Sequence, residues 1–123
     1  PILPPRSTVR PWQNAGQLQY TDRGRSVIGE VVVARAANAD LSLDFYKGPG
    51  IPLLKLWRAG SGGEARAQGA LARGAWRGDP AKAPARLTGW LNVAEQLSLQ
   101  TNLPGRIELS PAAGERFIFV FAR

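Results

Sequence analysis

The chain has 123 residues, enough for one domain with a core of its own. At 44% hydrophobic and 20% charged it is too apolar for a disordered tail, and no run approaches the roughly 20 apolar residues of a membrane-spanning helix. The absence of cysteine and histidine excludes disulfide scaffolds, thiolate zinc sites, imidazole proton relays and Ser–His nucleophile pairs, while a net charge of +7 favours anionic partners such as phospholipid headgroups or nucleic acid.

Residues 1–11 hold four prolines and no apolar period, so they read as an extended tether before a single domain over 12–123. From Gln17 the period is two: Leu18 and Tyr20 alternate with Gln17, Gln19 and Thr21, and Asp22-Arg23-Gly24 supplies a turn. Residues 27–34 form a β-branched run, Asn38-Ala39-Asp40 turns the chain, and Leu41, Leu43 and Phe45 alternate with Ser42 and Asp44. After Lys47-Gly48-Pro49-Gly50, residues 51–57 predict another strand, and Gly60-Ser61-Gly62-Gly63 predicts a loop. Residues 64–76 alternate small and polar side chains, a weaker strand or hairpin because alanine and glycine pack poorly on a pleated surface.

The period then changes. Leu87, Trp90, Leu91, Ala94 and Leu97 share one face of a helix, with Pro84 tolerable in its first turn. Gly89 weakens that helix by ~1 kcal/mol, so packing has to hold it. Two short strands follow, 106–109 and 116–121, joined by a turn at Ala113-Gly114. Hairpin-length connections imply an antiparallel sheet, and the fold class is α+β: a curved, incomplete β-barrel of about seven strands with one helix as a lid.

The residues offer no convincing catalytic group. Asp40 and Asp44 read as a solvent face opposite Leu41, Leu43 and Phe45, and the loop at Gly60 lacks the lysine of a phosphate loop. The expectation is a protein that is not an enzyme, with no cofactor and no metal. Aromatic residues are more informative. Phe117, Phe119 and Phe121 share one face of the last strand while Ile118 and Val120 occupy the other, a pattern of a strand covered on both faces or facing a cavity. Such residues suit either an ordinary core or an apolar cavity between sheet and helix, and the candidate cavity lining is Phe45, Leu56, Trp90, Phe117, Phe119 and Phe121. Pro49, Gly50, Ile51 and Pro52, flanked by Lys47 and Lys55, form a candidate membrane-contact loop; the alternative is that Leu53 and Leu54 open the next strand and only Ile51 is exposed.

Several of these strings occur in an order that resembles the LolB outer-membrane lipoprotein receptors and, more distantly, the periplasmic carrier LolA. They are Trp12-Gln13, Gly16-Gln17-Leu18-Gln19-Tyr20, Leu41-Ser42-Leu43 leading into Gly48-Pro49-Gly50, and Leu87-Thr88-Gly89-Trp90-Leu91. Leu103-Pro104-Gly105-Arg106-Ile107-Glu108-Leu109 with Gly114-Glu115-Arg116 resembles the closing strands. The resemblance spans most of residues 12–121 through short, degenerate motifs. It implies an unclosed antiparallel barrel with a helical lid, an acyl-chain cavity, an N-terminal lipid anchor upstream of Pro1, and a location on the periplasmic side of the bacterial outer membrane. It also implies lipid or an acylated lipoprotein as ligand, an anionic membrane surface and a periplasmic carrier protein as partners, and a protruding hydrophobic loop near Pro49. The family's protruding leucine falls at Gly50 here, leaving Ile51 in its place, and strands between the helix and the final hairpin are missing. Two other readings of the residues stay open: a basic β-rich module that binds nucleic acid, and a structural envelope lipoprotein that docks a partner through a sheet edge.

Overall fold

The computed structural model of the chain describes residues 10–79, 82–100 and 103–121. It is an α+β fold, an open antiparallel sheet with one helix. The strands are β1 (Trp12–Asp22), β2 (Arg25–Arg35), β3 (Leu41–Tyr46), β4 (Pro52–Arg58), β5 (Glu64–Gly69) and β6 (Gly74–Arg77). Then come α1 (Ala85–Ser98), β7 (Arg106–Leu109) and β8 (Glu115–Phe121). The count is eight strands rather than about seven, because the Ala- and Gly-rich stretch 64–77 is a true hairpin of two strands. The proposed tether falls almost wholly outside the described residues, and β1 begins directly after Pro11.

Strand order is β6-β5-β4-β3-β2-β1-β8-β7, so strands adjacent in sequence pair in space except β6 and β7, and β8 returns to pair with β1. The edge strands β6 and β7 lie at opposite ends of the order, and the sheet does not close. The chain passes from one edge to the other through α1, which packs on the inner face against β3 and β4. Eight strands at ~4.8 Å spacing would span ~34 Å if flat, about three times the ~10 Å width of a helix. The inner face nevertheless buries Leu18, Val31, Leu43, Leu56, Ala65 and Phe119, from six different strands, so the sheet bends around the helix.

Alternation decides which side chains point inward. Leu41, Leu43 and Phe45 are buried on β3 while Ser42, Asp44 and Tyr46 lie outward, and β8 buries Phe117, Phe119 and Phe121. Ile118 and Val120 face outward without full cover: Val120 stays exposed beside Arg106 and Gln17, so the expectation of a strand covered on both faces holds only on the inner side. The helix spans the predicted segment, with Pro84 at its N-cap position rather than in its first turn. No side chain caps its N-terminus and no acidic residue lies in its first turn. Burial of Leu87, Trp90, Val93, Ala94 and Leu97 therefore holds it in place, each large apolar side chain contributing about 1.5–3 kcal/mol.

Candidate functional site

The six residues expected to line an apolar interior all lie on the inner face and are buried. Trp90 on α1 meets Phe117 edge-on with ring centroids 4.7 Å apart and Phe45 at 6.4 Å. Phe119 and Phe121 stack at 5.7 Å farther along β8, and Leu56 sits on β4 between Leu43 and Ala67. In this arrangement the rings touch one another and form the core between sheet and helix. Tyr20, whose alternation with Leu18 already put it on this face, completes the cluster: its ring lies 4.9 Å from both Trp90 and Phe117. The indole N–H of Trp90 is buried and faces the Tyr20 hydroxyl oxygen, without reaching full hydrogen-bond geometry. A buried donor so weakly paired can still accept a better partner, such as a ligand's carbonyl or carboxyl oxygen.

The C-terminal end of the helix is held by a charge. Arg35 closes β2 on the same face as Val31 and Val33, and it is only 4% exposed. Its Nη1 donates to the carbonyls of Ser98 (2.9 Å) and Gln100 (2.6 Å), and Nη2 donates to the carbonyl of Arg10 (2.7 Å). The guanidinium also lies 5.7 Å from the Trp12 ring, and the Trp12 indole N–H donates to the same Gln100 carbonyl at 2.9 Å. Arg58 adds a weaker bond to the Ser98 hydroxyl at 3.4 Å. α1 has no basic residue in its own last turn, so Arg35 supplies the cation that its unsatisfied carbonyls and negative dipole end favour. Burying a guanidinium without a carboxylate is expensive, and the carbonyl bonds offset that cost only while the helix end stays seated. Sequence reasoning missed this clasp; its one local signal is that Arg35 shares the parity of Val31 and Val33.

A second polar contact lies beside the middle of the helix. The Tyr20 hydroxyl donates to Glu115 Oε2 at 3.2 Å, and the Glu115 carboxylate lies over Gly89. A Cβ at position 89 would run into that carboxylate, which is why the helix tolerates a glycine there. Burial, then the negative charge of Glu115, raises the Tyr20 hydroxyl pKa well above the ordinary tyrosine value. Burial likewise holds the Glu115 carboxyl above the usual carboxylate range, against the opposing Tyr20 hydrogen bond.

The candidate membrane loop projects between β3 and β4. The Lys47 amide donates to the Ile51 carbonyl at 2.9 Å, and Gly48 and Gly50 take left-handed φ values of 68° and 78°. A branched side chain at position 50 would be strained there, so glycine suits the turn. Ile51 is 58% exposed, whereas Leu53 is half-buried and Leu54 fully buried in β4, so Ile51 is the loop's one exposed large apolar residue. Pro52 opens β4 opposite Tyr46, where a missing amide is tolerated.

Elsewhere, Asp40 Oδ1 accepts the Gly60 amide and thereby ties the loop after β4 to the end of the β2–β3 turn. Among the described residues no group of three or more acidic side chains gathers to hold a cation. No described helix is long and apolar enough to cross a membrane. Models of known protein families give no match to the chain, and a search of curated proteins gives none either.

Proposed function

We propose that this chain is a non-enzymatic LolA/LolB-like domain of the bacterial cell envelope, acting on the periplasmic side of the outer membrane. Its inner face takes up lipid, or the acyl chains of a lipoprotein received from a periplasmic carrier, and assists insertion into the outer membrane. The observation that carries this reading is the lid: one helix covers the aromatic face of an open sheet, and its C-terminal end is seated by a buried cation on backbone carbonyls. Such a seat breaks as a unit. Once the Ser98 and Gln100 carbonyls leave Arg35, the helix end swings away and Phe45, Phe117 and Phe119 become a surface that acyl chains can cover at no loss of apolar burial. The small depression of about 120 Å3 along the helix flank, lined by Arg58, Trp76, Leu91 and Glu95, is the entry side. Trp90 offers its weakly paired N–H to an ester or carboxyl oxygen, and Ile51 with Lys47 gives the loop an apolar tip and a cation suited to an anionic membrane interface.

Delipidated protein titrated with a fluorescent fatty acid should bind it saturably and release it to unlabelled lipid. No saturable binding by the folded domain would sink the reading.

A further inference from the structure

The outer face of the sheet carries a feature that lipid uptake does not use. Cross-strand register aligns Ser42, Trp57, Arg66 and Ala75 in one row over β3–β6, and Asp44, Lys55 and Gln68 in the adjoining row. With Arg73 from the β5–β6 turn, these rows line an open trough of about 740 Å3. Ser42 and Trp57 also line a neighbouring depression of about 590 Å3 that reaches β1 and β2, so the trough continues past the tryptophan. The Arg66 guanidinium lies 4.8 Å from the Trp57 ring centroid, a cation–π contact that orients both groups. Among the described residues Lys55, Arg66 and Arg73 are exposed and form no ion pair, so three cations face Asp44 as the one described carboxylate at this end of the trough.

We infer that this trough binds an acidic oligosaccharide, a hydroxyl-rich chain bearing carboxylate or phosphate groups. The lining matches that chemistry residue by residue. The half-buried Trp57 ring, held against the Arg66 guanidinium, gives a sugar ring an apolar surface beside a cation. Lys55, Arg66 and Arg73 suit its acid groups. Asp44, Ser42 and Gln68 supply the acceptors and donors that hydroxyls need. Charge complementarity favours an anion, and among the described residues Trp57 is the one aromatic residue at this end of the trough, short of the successive stacking rings that a single nucleic-acid strand uses. The site lies on the opposite face from the helix and is independent of lipid uptake.

The test is calorimetric titration of the folded domain with a galacturonate hexamer at physiological salt, beside a neutral maltohexaose and a single-stranded oligothymidine of equal charge. The inference expects saturable binding of the galacturonate, little of the neutral sugar, and weaker binding of the oligonucleotide. Trp57→Ala and Arg66→Gln should each weaken galacturonate binding by roughly five- to tenfold, the scale of one aromatic contact. The double variant Lys55→Gln/Arg73→Gln changes only exposed side chains and should weaken it similarly while fatty-acid binding stays unchanged. Absence of galacturonate binding, binding untouched by all three variants, equal affinity for the neutral sugar, or equal or tighter oligonucleotide binding would each overturn the inference, the last by making the trough a nucleic-acid interface.

Discussion

The two faces of one sheet follow opposite rules. On the inner face, most alternate residues of β1–β5 and β8 are aliphatic or aromatic, one helix covers them, and the polar groups include an arginine bound to carbonyls and a tyrosine bound to a carboxylate. On the outer face of β3–β6 the intervening residues include serine, aspartate, glutamine, lysine and arginine around a half-buried tryptophan, and no described element covers them. The inner face therefore carries the stability of the fold, and the outer face can change its chemistry at little structural cost. A ligand of the inner face has to displace protein from protein; a ligand of the outer face displaces only water.

The largest expected effect comes from the ring cluster. Phe117→Ala should destabilise the fold by about 3–5 kcal/mol in denaturant melts, whereas Trp57→Ala on the outer face should cost about 1 kcal/mol. Comparable losses at both positions would erase the distinction between the faces. Next comes the clasp. Arg35→Leu removes three hydrogen bonds from a charged donor and should cost about 2–3 kcal/mol, while raising hydrogen exchange at the C-terminal turn of α1 and speeding fatty-acid uptake. Unchanged exchange in that turn would show that Arg35 does not seat the lid.

Gly89 sharpens the account of the helix. Gly89→Ala should gain less than the ~1 kcal/mol that helix propensity predicts while Glu115 is present, and close to the full gain when combined with Glu115→Ala. Additive effects in that cycle would mean that the carboxylate does not constrain position 89. Smaller still is the pH effect. Because burial raises the Glu115 pKa in the folded state, the fold binds that proton more readily than the unfolded chain does. Stability contributed by this group should rise as pH falls from the raised value toward the ordinary glutamate value of about 4.3, and Glu115→Gln should remove that slope. Parallel pH–stability profiles for the two proteins would contradict the assignment. Ile51→Asp should leave the melting temperature nearly unchanged yet reduce association with anionic liposomes; unaltered association would clear the loop of a membrane role.

Much of the architecture was legible because hydrophobic period is a local signal. The alternation of Leu41, Leu43 and Phe45 and the helical spacing of Leu87, Trp90, Leu91, Ala94 and Leu97 each placed an element and its buried face. The hairpin at 64–77 was blurred because Ala65 and Ala67 fill a shallow part of the interior, where small side chains suffice. Arg35 was harder to read: a basic residue at a strand end suggests a solvated surface until the carbonyls of Ser98 and Gln100 are seen beside it. The contact of Tyr20 with Glu115 joins positions 95 apart in the chain, and no periodicity within either strand reports such a meeting.

The central claim is that acyl chains occupy the inner face once the helix end is released. Nuclear Overhauser contacts from the methylene protons of bound fatty acid test it directly. The account predicts contacts to the ring protons of Trp90, Phe117 and Phe45, with slower exchange between free and bound forms in the native protein than in Arg35→Leu. Contacts confined to outward residues such as Trp57, Ile28 or Val120, with the inner rings unperturbed, would contradict it.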